Sequence, residues 1–352
     1  ADVTGLDLKI PKIPQWSDEQ VQYFRDDDHP DRSTILDGSI RAWMSHAVVL
    51  EEFLRSGLST ALIIEDDVDW DIRLKTIQVP SAAATHQYLL GRSAESIWAS
   101  TQHWDLMYLG HCGDYFTTLD DMQVGTGILH PADLGNIPHV FYRDATLPDP
   151  TDLHPFTASF LNAFNVPPKT RLLHQARWPL CSFGYAITRS TARRLLYELA
   201  VPHERPGKWT KAYDIALLEA CRDNHLRCFT ISPELLHHME GTSLINGDVA
   251  DRTERAPADR VGLRQVLYRN ETSNIGCGFW SGDFDWHGDL NHLLYLREEV
   301  GRKGRCLKPG RREDGSYLPQ PPGFRATGHQ ARVQEPGHRQ HITPARVHRK
   351  PY

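Results

Sequence analysis

The fold is decided by the stretch Ala61-Leu62-Ile63-Ile64-Glu65-Asp66-Asp67-Val68-Asp69-Trp70-Asp71. Residues 61–64 are apolar, too few for a helix and rich in Ile, which predicts a buried strand. Five carboxylates follow within seven positions, so this strand carries acids at its end. In open α/β sheets, ligands bind in the crevice beyond the carboxyl ends of the strands. We therefore expect a ligand to be bound at this point.

The acids allow two interpretations. Carboxylates this close raise one another's pKa, and a divalent cation relieves the repulsion. The spacing of Glu65 and Asp67, and of Asp67 and Asp69, resembles an Asp-x-Asp pair. At the end of a strand, such a pair can hold a hard cation that bridges the two phosphates of a nucleotide-sugar. The alternative is a strand that ends in a solvated acidic turn, and the spacing alone does not decide between them.

Length and composition limit the class of protein. The chain has 352 residues and is 40% hydrophobic, enough for one large or two modest globular domains. Residues 301–352 carry 12 Lys and Arg against three acids, a net charge of +9 that leaves −15 on residues 1–300. An acidic body argues against a nucleic-acid-binding protein. No apolar run approaches the roughly 20 residues of a membrane span, and we expect no transmembrane segment.

The order of helices and strands predicts the architecture. Residues 1–36 show little periodicity and are expected to be irregular. A helix should begin at Asp37, capped by Ser39, and end at Gly57. A second helix is predicted over 81–101, followed by a strand at 104–110. Alternation of helix and strand predicts parallel strands joined by crossover helices.

The second half of the chain is less regular. Prolines interrupt residues 125–179, which predicts a long insertion facing the substrate. The further predicted elements are a strand at 183–188, a helix from Ser190, a helix over Tyr213–Arg222, a strand at 227–231, a polar turn at His237-His238 and a last helix at 290–300. The composition beyond 301 predicts a disordered basic tail over 301–352. The globular domain is therefore expected to span residues 37–300.

Three further groups could carry chemistry, each with an ordinary alternative. His237 and His238 could complete a metal site through a neutral imidazole, or could be loop histidines in a chain that contains 19. Asp214, which opens a helix, could be a general base or could stabilise the helix N-terminus. The aromatic side chains that could stack on a sugar are expected to serve packing by default; they are Trp280, Phe284 and Trp286.

Taken in order, several blocks resemble the family 25 glycosyltransferases, which include lipopolysaccharide and collagen galactosyltransferases, and the chain looks most like fungal members. The matching blocks lie within residues 37–240 and are Ser45-His46, Ser59–Val68, Trp104–Gly110, Gly184–Arg189 with Ala192–Leu196, and Asp214. The resemblance implies a GT-A-type α/β fold in which a mixed sheet is flanked by helices. It also implies transfer of galactose or glucose, with inversion, from a UDP-sugar to a hydroxyl acceptor on a glycan or protein.

The resemblance also implies roles for individual residues. Asp67 would be the principal ligand of Mn²⁺ or another divalent cation, with Glu65 beside it and His238 as a further ligand. The residues implied in nucleotide-sugar binding are Ser45, His46, Glu65 and Asp66. Asp214 would be the catalytic base or an acceptor contact. Location in the secretory pathway, in the Golgi or endoplasmic reticulum, is suggested by the family alone.

One part of the family pattern has no counterpart here. Family members begin with an apolar strand that ends in an Asn-Leu-x-x-Arg-x-Asp-Arg-like segment, which holds the nucleotide. We expect the chain to begin just past this strand, so that the uridine loses part of its pocket. A catalytically silent protein that binds a nucleotide or glycan is therefore an alternative function, and retained nucleotide binding without turnover would favour it. A metal-dependent hydrolase is a third possibility, for which no separate motif is present.

Overall fold

The acidic stretch follows the first strand of a six-stranded sheet, which is reached directly from a 20-residue helix. The structure is a computed structural model, and the residues that it describes are 1–25, 33–94, 96–116, 131–205, 210–239, 272–279 and 284–307. The contacts within the chain divide it into two compact units, Ala1–Cys306 and Leu307–Tyr352. From residue 308 onward, the predicted disordered tail lies outside the described residues.

Eight α-helices occur among the described residues, and three of them adjoin a π-helical turn. The helices are α1 (Asp18–Phe24), α2 (Asp37–Ser56), α3 (Val79–Leu90), α4 (Pro131–Gly135), α5 (Pro155–Ala163), α6 (Arg189–Arg194), α7 (Tyr213–Arg222) and α8 (Leu290–Tyr295). The π-helical turns are Leu74–Gln78 before α3, Leu195–Leu199 after α6 and Leu296–Gly301 after α8. Within the described ranges, no helix is long and apolar enough to cross a membrane.

The described strands form one large sheet and two small ribbons. They are β1 (Thr60–Ile64), β2 (Val68–Trp70), β3 (Leu106–Gly110), β4 (Gly113–Tyr115), β5 (His139–Arg143), β6 (Thr170–Gln175), β7 (Trp178–Leu180), β8 (Gly184–Thr188), β9 (Cys228–Ser232) and β10 (Leu236–His238). The large sheet has the order β1-β8-β3-β9-β6-β5, and β10 pairs with β2 and β4 with β7. The predicted α/β class with a mixed sheet flanked by helices is confirmed at this level.

Because of the strand directions, the ends of several strands lie at the same edge of the sheet. Strand β8 is antiparallel to both β1 and β3, and β3 is parallel to β9. Consequently β1, β3 and β9 end at the edge where β8 begins. We call this the acidic edge, because Glu65 and Asp67 follow β1 there. Parallel strands joined by crossover helices were predicted, and β1 and β3 do run in the same direction. They are not neighbours, however, because the antiparallel strand β8 lies between them.

The core has two apolar layers, one on each face of the sheet. Side chains alternate along β3, so that Leu106 and Tyr108 face one layer while Met107 and Leu109 face the other. Helices α2, α6 and α7 pack in the first layer, and α3 packs in the second. All five residues of β3 are buried, as are all five of β9. The rigid centre of the sheet therefore supports the acidic edge.

Helix α2 confirms the predicted element but not its cap. It ends at Gly57, whose φ of 76° is left-handed, as predicted for a helix C-terminus. It begins at Asp37, and the residue before it, Leu36, provides no side-chain cap. Ser39, the predicted cap, is buried within the first turn. Arg25 instead contacts the start of the helix, through the Asp37 carboxylate and the carbonyl of Ile35.

Three other predicted elements need correction. The helix predicted over 81–101 is α3, which ends at Leu90 before Gly91, where φ is 97°. Within the segment 1–36, expected to be irregular, Asp18–Phe24 is helical, and Ser17 with Gln20 forms a capping box. The predicted polar turn at His237-His238 is strand β10.

Residues 125–179 are not simply an insertion, since β5 and β6 supply two strands of the large sheet. The prolines mislead because several of them begin helices, where a missing N–H has no cost. Pro131 is the first residue of α4, Pro155 lies in the first turn of α5, and Pro150 opens a 3₁₀ turn. Residues 117–130 lie outside the described residues.

Candidate functional site

Two of the five carboxylates in the acidic stretch, Asp69 and Asp71, are buried and hydrogen-bonded to other parts of the chain. Asp69 is 2% exposed and accepts hydrogen bonds from Thr272 Oγ1 at 2.6 Å and the amide of Phe279 at 2.8 Å. Asp71 is fully buried, pairs with Arg73 at 2.7 Å and accepts from the amide of Cys277 at 2.8 Å. These two acids attach the segment 272–279 to the sheet.

Asp67 and His238 are brought together by the small ribbon of β2 and β10. His238 pairs with Val68 in the antiparallel register, and its Nε2 lies 2.8 Å from Asp67 Oδ2. The hydrogen bond from His238 lowers the pKa of Asp67 and outweighs the opposing effect of partial burial. The second carboxylate oxygen, Oδ1, is buried and has no hydrogen-bond partner among the described residues. Such an oxygen is a free acceptor for a ligand.

Glu65 is held by two side chains rather than by Asp67 and His238. Ser182 Oγ donates to Glu65 Oε1 at 2.8 Å, and His46 Nε2 lies 3.3 Å from the same oxygen. Burial alone would raise the pKa of Glu65, but the hydrogen bonds from His46 and Ser182 and the charge of His46 lower it overall. The charge of Asp67 acts in the opposite direction.

His46 belongs to a buried aromatic network behind Glu65. Its ring stacks on Tyr213, with centroids 4.3 Å apart, and its Nδ1 lies 3.1 Å from the Tyr185 hydroxyl. The hydroxyls of Tyr185 and Tyr213 are 3.0 Å apart. His46 therefore bridges Glu65 and Tyr185, with Nε2 facing the carboxylate and Nδ1 facing the hydroxyl. The network therefore fixes the orientation of the Glu65 carboxylate.

Asp214 lies in the first turn of α7, and the charge of Glu65 acts on it. Its carboxylate accepts the amide of Ile215 at 2.9 Å and a further hydrogen bond from the amide of Cys181. Burial raises the pKa of Asp214, and the charge of Glu65 adds to this rise. The bond to Ile215 fits the helix-terminus interpretation, and the raised pKa fits a general base, so both interpretations keep support.

The remaining predicted binding residues differ in their surroundings. Ser45 donates to the carbonyl of Arg41 at 2.7 Å and accepts from Trp16 Nε1 at 3.3 Å, so it contacts the N-terminal segment and not the acids. Asp66 is exposed. Of the three aromatic candidates, Phe284 is buried against Phe279, with ring centroids 4.7 Å apart, which is the packing role expected by default. Trp286 is half-buried, and Trp280 lies outside the described residues.

Sequence reasoning missed a second acid–histidine pair beside the first. Glu234 is 2% exposed, contacts His237 Nδ1 and accepts from Asn274 Nδ2 at 2.6 Å. Burial opposes ionisation of Glu234, yet the charge and hydrogen bond of His237 outweigh it and lower the pKa to about 2. Ser182, Tyr185 and Tyr213 were also missed. No local pattern marks them, because their contacts depend on chain pairing over long separations.

The described part of the chain contains no group of three His, Cys, Asp or Glu side chains that could hold a metal ion. Asp67 and His238 are two suitable donors, and Asp67 Oδ1 is an acceptor without a partner among the described residues. This donor set fits a hard cation that takes its other ligands from phosphates and water. Comparison with known proteins adds no assignment, since no family model, no curated protein and no solved structure matches the chain.

Proposed function

We propose that the chain is a metal-dependent inverting glycosyltransferase that moves a hexose from a UDP-sugar to a hydroxyl acceptor. The observation that carries the proposal is the pair Asp67 and His238, 2.8 Å apart at the acidic edge, with Glu65 and the buried acid Asp214 nearby. The order of sequence blocks resembles that of family 25. A GT-A-type fold is part of the same proposal, and the six-stranded mixed sheet with helices on both faces is compatible with it.

Asp67 and His238 would hold the divalent cation, with Mn²⁺ as the ion that the family resemblance suggests. When bound, such an ion neutralises the charge that develops on a departing diphosphate. Two protein donors suffice where substrate phosphates complete the coordination, as is usual for Mg²⁺-like ions. The protein's own contribution is to hold the two donors together: without the cation, the hydrogen bond from His238 lowers the pKa of Asp67 and keeps it ionised, and the cation would take the place of that hydrogen bond.

Asp214 would take the proton from the acceptor hydroxyl as the sugar is transferred. A general base works best when its pKa is near the working pH, and burial moves the pKa of Asp214 upward in that direction. Inversion at the anomeric carbon requires one in-line displacement, with the base on the acceptor side and the leaving diphosphate opposite. Glu65, beside both Asp67 and Asp214, would orient the sugar or the nucleotide between them.

The test is isothermal titration with UDP, with and without Mn²⁺, on the wild type and on Asp67→Ala. We expect binding only with Mn²⁺, and its loss in Asp67→Ala. Asp18→Ala is the matched control, because the side chain of Asp18 is 95% exposed on α1. Binding by Asp67→Ala equal to that of the wild type would refute the role of the acidic edge.

Turnover is measured separately, as UDP release from UDP-galactose or UDP-glucose in the presence of hydroxyl acceptors. Asp214→Asn should lower turnover by about 10²- to 10⁴-fold, the usual contribution of a general base, while UDP binding persists. Asp223→Ala, at the other end of the same helix, is the control. If the wild type binds UDP but transfers no hexose to any acceptor, the chain is instead a nucleotide-binding protein.

A further inference from the structure

The disulfide Cys112–Cys181 joins two neighbouring strands at the acidic edge. Cys112 lies just past the end of β3, and Cys181 lies just before the start of β8. The amide of Cys112 also donates to the carbonyl of Leu180 at 3.0 Å. The disulfide therefore fixes the position of the turn Cys181-Ser182-Phe183, which we call the β8 turn.

The β8 turn contacts Glu65 and Asp214, the two acids that the proposed site contains besides Asp67. Ser182 Oγ donates to Glu65 at 2.8 Å, and a hydrogen bond from the backbone of Cys181 lowers the pKa of Asp214. The carbonyl of Phe183 accepts from the amide of Glu65 at 3.0 Å. One short turn thus sets the distance between Glu65 and Asp214.

The backbone of the β8 turn is in a conformation that needs support. Cys181 has a φ of +68°, in the left-handed region that residues other than glycine seldom adopt. Such conformations persist where the surrounding structure constrains them, and they cluster at functional sites. Here the constraints are the disulfide and the hydrogen bonds of the turn.

Solvent can reach this disulfide more easily than the other two. Cys112 is exposed and Cys181 half-buried. In the pair Cys221–Cys228 both residues are buried, at 4% and 2% exposure; in the third pair Cys277 is fully buried and Cys306 is half-buried. Thiol–disulfide exchange requires access of a thiolate to a disulfide sulfur.

We propose that Cys112–Cys181 is a redox-sensitive positioning element: a dithiol reductant cleaves it selectively and disables turnover while the chain stays folded and still binds UDP. The inference rests on the proposed function. A thiolate of the dithiol attacks Sγ of Cys112, and the electron pair of the S–S bond leaves on Sγ of Cys181, which takes up a proton. The second thiol of the reductant then displaces Cys112 as a thiol, so that two electrons pass to the protein and the reductant becomes a cyclic disulfide.

Reduction should affect turnover more than UDP binding, because one element holds Asp67 and His238 and another holds Glu65 and Asp214. Asp67 and His238 are joined by the ribbon of β2 and β10, and the amide of Met239 donates to the carbonyl of Asp67 at 2.7 Å. His238 also contacts the β8 turn through the ring of Phe183, with centroids 5.9 Å apart, but its place beside Asp67 is set by the register of β2 and β10. Asp214 and Glu65 do depend on that turn, so release of the turn misplaces the base relative to the diphosphate side.

The experiment treats the full chain with graded dithiothreitol and alkylates the free thiols, so that mass spectrometry measures each disulfide separately. UDP binding with Mn²⁺, UDP release from UDP-galactose and UDP-glucose, and far-UV circular dichroism are recorded on the same samples. We expect Cys112–Cys181 to be reduced first. Turnover should then fall by about 10- to 100-fold, part of what a general base contributes, while the Kd for UDP stays within about threefold.

A pair of double variants provides the matched control. Cys112→Ser with Cys181→Ser should reproduce the loss of turnover, and further reductant should have no additional effect. The control is Cys221→Ser with Cys228→Ser. It removes a disulfide at the first residue of β9, at the end of that strand away from the acidic edge, and should keep both turnover and its sensitivity to reductant. Both variants are assayed at a temperature at which their circular dichroism matches that of the wild type.

Two results would overturn the proposal: simultaneous reduction of all three disulfides, or unchanged turnover once Cys112–Cys181 is reduced. Failure of the underlying function is seen separately, as absence of UDP binding by the untreated chain. In that case, hydrogen exchange tests separately whether the disulfide holds the β8 turn in place. Loss of protection in peptides 180–186 and 210–216 on reduction supports it, and unchanged protection refutes it.

Discussion

At the scale of single residues, the acids of the molecule are distinguished by their partners rather than by their spacing. Asp67 keeps an oxygen without a partner among the described residues. Asp69 instead accepts from Thr272 and Phe279, and Asp71 accepts from Cys277 and Arg73. A buried carboxylate with several donors is stabilised as the anion and has little capacity left for a ligand. The functional and structural acids of one short stretch are therefore separated by their hydrogen bonds.

Glu234 gives a pH-dependent test of the buried network. Its folded pKa of about 2 lies below its usual 4.5, so its contribution to stability is present above pH 4.5 and is lost as the pH falls towards 2. The shift corresponds to on the order of 3 kcal/mol. We expect the stability difference between the wild type and Glu234→Gln to shrink as the pH is lowered from 5 to 2.

This prediction is measured by urea unfolding at several pH values. Glu52→Gln, an exposed carboxylate on α2, is the control and should show no such convergence with the wild type. A difference between wild type and Glu234→Gln that stays constant between pH 5 and 2 would show that Glu234 is not held as an anion.

At the scale of elements, the segment 272–279 packs against the rest of the molecule without spare room. A Cβ on Gly276 would collide with the backbone carbonyl of Thr146, and that carbonyl is also held by Arg73 at 3.1 Å. Because a backbone atom cannot move aside as easily as a flexible side chain, Gly276→Ala should destabilise the protein by about 1 to 3 kcal/mol, the usual cost of overpacking.

Gly135→Ala is the control for this prediction, since a Cβ there would meet nothing within 4 Å. Its effect should stay within about 1 kcal/mol. The measurement is the midpoint of urea unfolding for both variants. Equal midpoints for Gly276→Ala and the wild type would mean that the segment packs less closely than described.

The elements differ in how far the sequence could predict them. Helix α2, helix α7 and strand β3 follow from local periodicity, which identified each of them within a few residues. Strands β5 and β6 were missed, because prolines that begin helices were taken as signs of irregular structure. For the site, the acids were found from their clustering. Their partners Ser182 and Tyr185 could not be found, because long-range pairing of β1 with β8 brings them together.

At the scale of the whole molecule, all six cysteines are paired, and the three disulfides close loops of different length. Loop closure predicts that a longer loop gives more stability, because it removes more entropy from the unfolded chain. Removal of Cys277–Cys306, with a separation of 29, should cost roughly 3 to 4 kcal/mol, against roughly 2 kcal/mol for Cys221–Cys228, with a separation of 7.

The two losses are compared in double alanine variants by urea unfolding at neutral pH. Alanine is used in both variants, so that the replacement of cysteine side chains has a similar effect on the free energy of unfolding in each. A larger loss for the shorter loop would indicate that native packing around the cysteines, rather than chain entropy, sets their contribution. Disulfides of this number are typical of proteins that fold in an oxidising compartment.

The position of β8 between β1 and β3 also governs the order in which the protein can be built. During synthesis, residues 60–64 and 106–110 emerge long before Gly184–Thr188, the strand that pairs with both. Until that strand is made, the edges of β1 and β3 that β8 will cover are unpaired, and unpaired edges are sites of aggregation. A ribosome stalled before residue 184 would therefore present β1 and β3 with open edges, and β3 would be open on both sides because its other neighbour, β9, also comes later. We expect a chaperone to bind the chain at this stage of translation.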